Sequence, residues 1–213
     1  MGMTSTGEFE PAQKGAVVDE HSSLISGSRK AVFLDLQGTL GGDGLGDILD
    51  FSFYPCAIPA IRLLNQTSLL SIVVTNQSHI ANGLFTYQEF ERRMADLRRE
   101  LDEAGARIDA VYCCPHGDDD GCTCQKPRPG MLLQAQRDHG LLLSSCYVVG
   151  DAGAWDMVLA RASGCRAILV RAGLGETSLG RFRNTWVGVQ PDFIARNVLA
   201  AAEWIADMEA RGK

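Results

Sequence analysis

Asp35 ends the apolar run Ala31-Val32-Phe33-Leu34 and is followed by a turn broken by glycine, Gln37-Gly38-Thr39. A short aliphatic and aromatic run closed in this way reads as a strand buried on both faces of a parallel sheet, and such sheets hold ligands at the carboxyl ends of their strands. An ionised carboxylate half removed from water there needs a cation or hydrogen-bond donors beside it. Taken alone, Asp35 reads equally well as a cap on the following turn. Two further apolar runs end similarly: Leu69 to Val74 leads into Thr75-Asn76-Gln77-Ser78, and Cys146 to Val149 opens onto Gly150-Asp151, with Asp156 five residues on. Lys126 falls between them in sequence. Brought to one sheet edge, two carboxylates, a hydroxyl and amide pair and a lysine bind a hard divalent cation and a phosphate together, which is the chemistry of phosphoryl transfer.

A second cluster is softer. Cys114, His116, Cys122 and Cys124 place three thiols and one imidazole within eleven residues, and Pro115 with the loop Gly117 to Gly121 supplies the reversal. That set closes a tetrahedral Zn2+ shell without an open position, so its expected task is to fix a loop and hold Lys126, two residues beyond Cys124. Cys113 competes with Cys114 for a place in the shell, although its strand should point it inward. Cys56, Cys146 and Cys165 read as small core residues, and Asp118-Asp119-Asp120 as a solvated acidic run.

The elements that must position these groups alternate along the chain. Residues 57–66 carry apolar side chains at helical spacing, and Thr86-Tyr87-Gln88-Glu89 has the form of a capping box. Phe90, Met94, Leu97 and Leu101 then line one face of an amphipathic helix closed by Gly105. Asp109 to Cys113 reads as a third strand, Pro129 and His139-Gly140 frame a helix, and a helix ending near Gly164 leads to a strand over Ala167 to Val170. The tail from Phe193 to Ala210 is expected to be largely helical. Strand and helix in alternation predict an α/β fold, a doubly wound parallel sheet with helices on both faces. Gly41 to Asp47 is too rich in glycine to form an element, and the Arg171 to Glu176 stretch reads as a turn. Trp155, Trp186 and Trp204 read as packing residues, with Trp155 within reach of the pocket because it precedes Asp156. Residues 1–28 read as a flexible extension and 29–213 as one domain.

Composition narrows the partners. A net charge of -6 and a pI of about 5.2 argue against binding nucleic acid through a basic surface. No apolar stretch approaches the roughly 18 residues of a membrane span, and the start lacks the basic-then-apolar order of a secretory signal. A cytoplasmic protein with no membrane association is therefore expected, as a monomer. Seven cysteines, an odd number at low density, fit reduced thiols and a metal better than a disulfide framework.

In this order the motifs resemble the haloacid dehalogenase superfamily of aspartate-nucleophile phosphatases. Within it they are most similar to the histidinol-phosphate and D-glycero-D-manno-heptose-1,7-bisphosphate phosphatases. The superfamily's Asp-x-Asp-Gly-Thr reads here Asp35-Leu36-Gln37-Gly38-Thr39, and the subfamily's Val-Val-Thr-Asn-Gln-Ser is matched by Val73 to Ser78. Its Cys-x-His and Cys-x-Cys zinc loop is matched by Cys114, His116, Cys122 and Cys124, and its Lys-Pro-x-Pro-Gly-Met by Lys126 to Met131. The resemblance runs from about residue 31 to residue 205 and implies a Rossmann-type sheet with a minimal cap. It further implies that Asp35 attacks phosphorus to form an aspartyl phosphate, that Thr75 and Asn76 hold the transferring group, and that Lys126 neutralises its oxygens. Mg2+ would be held by Asp35, Asp151 and the backbone carbonyl of Gln37, with Asp156 in support.

Three positions depart from the pattern. Relatives carry an aspartate where Gln37 stands, as the acid that protonates the leaving oxygen and the base that activates water; an amide does neither. Gln125 stands where relatives commonly have an arginine that helps hold the substrate. His79 replaces a small residue and is a candidate for the missing proton transfer. The implied activity is a Mg2+-dependent phosphatase for a small phosphorylated metabolite, of the sugar phosphate or histidinol phosphate class. The alternatives are an impaired relative that binds a phosphometabolite or a protein partner, and a phosphotransferase.

Overall fold

A computed structural model describes residues 29–212; the extension expected over 1–28 lies outside the described residues. Six parallel strands form one sheet: β1 (Ala31–Leu34), β2 (Leu70–Asn76), β3 (Ala110–Cys114), β4 (Tyr147–Gly150), β5 (Arg166–Val170) and β6 (Phe193–Ala195). Their spatial order is β3-β2-β1-β4-β5-β6, so the chain winds outward from β1 in one direction, returns, and winds outward in the other. The reversal between β1 and β4 opens a crevice at the carboxyl ends of those two strands, where doubly wound sheets bind ligands. The registers Leu34 with Val73 and Leu34 with Val149 bring Asp35, Thr75 and Asp151 to that one edge.

The strands are apolar on both faces because both are covered. Val32 and Leu34 of β1 face a core built with α1 (Ala57–Leu64), α3 (Tyr87–Glu103) and α7 (Val198–Arg211), whereas Ala31 and Phe33 face one built with α4 (Gly130–His139) and α5 (Val158–Ser163). Between these lie two short helices, α2 (Ser78–Ala81) and α6 (Gly175–Leu179). The stripe Phe90, Met94, Leu97 and Leu101 is the buried face of α3, and Thr86 caps that helix reciprocally with Glu89. Gly105, Gly140 and Gly164 take left-handed φ angles beyond α3, α4 and α5, as helix-ending glycines do. Among the described residues no helix is long and apolar enough to cross a membrane.

Two expectations need correction. The tail is not helical from Phe193: Phe193–Ala195 pairs with β5 as the edge strand, and the helix begins at Val198 after Asn197 caps it by accepting from the Ala200 amide at 3.0 Å. Three residues are too short a run to show strand periodicity. Trp186 is buried and Trp204 stacks on Phe193 with ring centroids 5.1 Å apart, but Trp155 does not pack; it stands 41% exposed.

The reciprocal Thr86 cap makes a measurable contribution to stability. Thr86→Ala removes one bond to the Glu89 amide and the hydroxyl's bond to its carboxylate, and urea titration is expected to show a loss of about 1 kcal/mol with an unchanged slope.

Candidate active site

Beyond β1 the chain must turn sharply without filling the crevice. Gly38 does this with a φ of +84°, and a Cβ there would collide with the Asp151 carboxylate. Gly173, at a φ of +53°, approaches the same carboxylate from the loop after β5, whose next residue, Leu174, donates its amide to Asp151 Oδ2 at 2.7 Å. The Arg171 to Glu176 stretch is therefore more than a turn: it fixes the rotamer of Asp151. Ser178 adds a bond to the Asp151 carbonyl at 2.9 Å. Asp156 reaches the site from a single π-helical turn, Gly153–Met157, with Oδ2 held by the Ala152 amide at 3.0 Å.

Lys126 lies at the centre. Its ammonium donates to Asp35 Oδ1 at 2.5 Å and to Asp156 Oδ1 at 2.8 Å, and all three side chains are buried. Asn76 holds the lysine's backbone in both directions, donating to its carbonyl at 3.2 Å and accepting from its amide at 2.9 Å. Oxygens of Asp35, Asp151 and Asp156 lie within 4.8 Å of one another. Burial, with the neighbouring carboxylates, pushes the Asp151 carboxyl up to about 8. Burial also outweighs Lys126 at Asp35 and pushes it up to about 6. At Lys126 burial works the other way, but Asp156 and Asp35 overcome it and hold the ammonium above the usual lysine range.

Three carboxylates against one ammonium leave the recess short of positive charge, and Asp35 Oδ2 is buried with no hydrogen-bond partner. An unpaired buried carboxylate oxygen is costly. An all-oxygen donor set around that oxygen fits a hard divalent cation such as Mg2+.

The recess, about 40 Å³ and lined by Asp35, Thr75, Lys126 and Asp151, is the floor of an outer cavity of about 600 Å³. Gln37, Gly44, Asn76, Lys126 and Trp155 line both. Gln37 sits at this junction with its carboxamide fixed. Nε2 donates to the Gly46 carbonyl at 2.6 Å, and Oε1 accepts from Gln77 Nε2 at 2.8 Å. Because a backbone carbonyl only accepts, the nitrogen must face Gly46. Gln77 Nε2 also donates to Thr75 Oγ1 at 2.8 Å, leaving the threonine hydrogen free to point into the recess. The glycine-rich connection is thereby tied through Gln37 and Gln77 to Thr75. Gln77 lies within the same polar strand end as Thr75 and Asn76, and only its position opposite Gln37 distinguishes it from a solvated amide.

His79 and Gln125 line the outer cavity but not the recess. His79 packs edge-on against Phe85. Gln125 donates to Asp118 Oδ1 at 2.7 Å, and Asp120 Oδ2 accepts from the Gly117 amide at 2.8 Å, so the acidic run is partly an ordered wall rather than simply solvated.

The four soft ligands converge on one point. Cys114 Sγ lies 3.6 Å from His116 Nδ1, 3.6 Å from Cys122 Sγ and 3.2 Å from Cys124 Sγ, and His116 Nδ1 is 3.2 Å from Cys124 Sγ. Zn–S and Zn–N bonds of about 2.3 and 2.0 Å arranged tetrahedrally give ligand separations of roughly 3.5–3.8 Å, so small adjustments admit Zn2+. Cys113 packs against the core on the α3 side, while Cys114 belongs to the opposite face. Strand alternation separates the two competing thiols.

Comparison with known proteins places this geometry. The HAD-hydrolase-like family model matches residues 123–201. The D-glycero-beta-D-manno-heptose-1,7-bisphosphate 7-phosphatase of Pseudomonas aeruginosa is 38% identical over 157 residues, covering 72% of this chain and 88% of its own length. The D-glycero-D-manno-heptose-1,7-bisphosphate 7-phosphatase of Thermosynechococcus vestitus is 37% identical over 191 residues, covering 83% and 95%. Among solved structures, the D,D-heptose 1,7-bisphosphate phosphatase of B. bronchiseptica, complexed with magnesium and phosphate, superposes with a TM-score of 0.76 at 30% identity, covering 84% of this chain and 99% of that one. The resemblance read from the motifs is borne out: this chain belongs to the heptose-bisphosphate phosphatase family of haloacid dehalogenase-like phosphoric monoester hydrolases.

Proposed function

We propose that the chain is a Mg2+-dependent phosphatase that works through an aspartyl phosphate on Asp35 and acts on a small phosphorylated metabolite. The observation that carries the reading is the asymmetry of Asp35, a residue that lines the recess: Oδ1 is tied to Lys126, while Oδ2 is buried and has no hydrogen-bond partner. A carboxylate held by one oxygen presents the other as a nucleophile or a cation ligand. Asp35, Asp151 and the Gln37 carbonyl would hold Mg2+, which supplies positive charge against the phosphate oxygens. Within the chain itself, the Thr75 hydroxyl is free to donate to the transferring group, and Lys126 keeps a further N–H beyond the two it spends on Asp35 and Asp156. Asn76 serves the phosphate through the lysine it anchors. The magnesium and phosphate bound by the B. bronchiseptica relative support the same assignment. Zn2+ at Cys114, His116, Cys122 and Cys124 would brace the loop from which Lys126 projects.

Phosphate release with Mg2+ tests the reading. Asp35→Asn is expected to reduce release to background, and chelation of Mg2+ to do the same reversibly; turnover that survives Asp35→Asn removes Asp35 as the nucleophile. Lys126→Met is expected to weaken inorganic phosphate binding by about 1.5–3 kcal/mol, roughly 10- to 150-fold, measured by calorimetry in the presence of Mg2+. Removing zinc, verified by metal analysis, is expected to lower the thermal unfolding midpoint, because metal-binding free energy at a closed site is folding free energy. An unchanged midpoint would mean that the four ligands hold no structural metal.

A further inference from the structure

The groups at the throat between recess and outer cavity decide which phosphate esters can react. An ester whose phosphoryl group occupies the recess places its leaving oxygen among Gln37, Gly44, Asn76, Lys126 and Trp155, the residues that line both spaces. None of the five is placed to give that oxygen a proton. Gln37 is an amide, Asn76 is spent on the Lys126 backbone, and the Lys126 ammonium, which Asp35 and Asp156 hold in its protonated form, offers its remaining N–H as a hydrogen bond and not as a proton. The carboxyl groups of Asp35, Asp151 and Asp156 line the recess and none lines the outer cavity, so they lie on the phosphoryl side of the leaving oxygen. In the outer cavity, Asp118 is held by Gln125, Arg128 by the Cys122 carbonyl, and His79 does not line the recess.

The throat nevertheless offers two things. Gln37 Nε2 carries two hydrogens; one is used on Gly46, and the other has only the Asp43 carbonyl at 3.5 Å. It can solvate an oxyanion without protonating it. Beside it, Trp155 and Leu45, 41% and 65% exposed, turn apolar surface toward the outer cavity.

From this we infer that the site selects phosphates with a weakly basic leaving oxygen, aryl or acyl rather than alkyl, and that Trp155 contributes a stacking face for a planar leaving group. The inference rests on the phosphatase reading and narrows it. In the first step a bond forms between an Asp35 oxygen and phosphorus as the bond from phosphorus to the leaving oxygen breaks. The leaving oxygen departs with the electron pair, as a phenolate or a carboxylate, hydrogen-bonded to Gln37. Water then attacks the phosphoaspartate, regenerating the Asp35 carboxylate and releasing inorganic phosphate and a proton to solvent. An alkoxide is too basic to leave in this way without a proton.

The test uses the full chain with Mg2+ and three probes: p-nitrophenyl phosphate, acetyl phosphate and glycerol 3-phosphate. Wild type is expected to favour the aryl over the alkyl ester by at least 100-fold in kcat/KM, and Gln37→Asp to shrink that preference by about 10²–10⁴-fold through a gain on the alkyl ester, the range of positioned acid catalysis. A series of substituted phenyl phosphates on wild type alone should show a steep fall in kcat/KM with rising leaving-group pKa, a readout that survives if Gln37→Asp does not fold. Trp155→Ala should raise KM for the aryl ester and spare acetyl phosphate; equal effects on both would remove the stacking assignment. Alkyl turnover within tenfold of aryl turnover in wild type, or a flat phenyl series, overturns the inference while leaving the phosphatase reading intact. Silence of wild type and Gln37→Asp on all three probes, with folding verified, defeats the phosphatase reading and the inference together.

Discussion

The molecule is built around a buried ammonium that joins two carboxylates from different parts of the sheet. Lys126 reaches Asp35 at the end of β1 and Asp156 in the turn after β4, across 91 and 30 residues of sequence. Buried ion pairs are poor sources of stability because desolvation offsets much of their attraction, and removing one partner strands the others. Such a cluster is therefore kept for its geometry. Here it ties one oxygen of Asp35, leaves the other without a hydrogen-bond partner, and sets three carboxylates against one ammonium.

Much of the rest serves that lysine. It comes from a loop rather than from a strand, and a loop carries too little packing of its own to hold a side chain in one rotamer. Two devices compensate. Asn76, from the strand end across the crevice, binds the backbone of Lys126, and the Cys114, His116, Cys122 and Cys124 cluster closes the preceding segment on itself. The four-residue cluster and the recess are thus one mechanical system, joined through Gln125, the single residue between Cys124 and Lys126, and through β3, which carries Cys114.

Gln37 gives the throat a different character from an acid-bearing one. A carboxylate at that position would repel the Gly46 carbonyl when ionised and bond to it only when protonated. The amide donates at every pH, so it ties the glycine-rich connection down continuously while also receiving Gln77. The same atoms that settle the loop remove proton transfer from the junction, so loop order and leaving-group choice have one cause.

The sequence by itself determined the alternation of strand and helix, the two-sided burial of β1 and β4, and the residues gathered at the crevice. Those follow from local apolar pattern and from polar groups placed where such patterns stop. Motif order also pointed to the Cys114, His116, Cys122 and Cys124 cluster and to the family. What the sequence left open depends on contacts between distant segments. The three-residue edge strand Phe193–Ala195 exists only because β5 offers it a ladder. Trp155 looks like core by type, yet the π-helical turn that buries Asp156 turns the indole outward. Gly173 and Leu174 read as a turn until Asp151 is placed against them, and Gln77 as a strand-end polar residue until Gln37 is opposite. Rotamers and hydrogen-bond partners are properties of the assembled crevice, and only the tertiary structure could decide them.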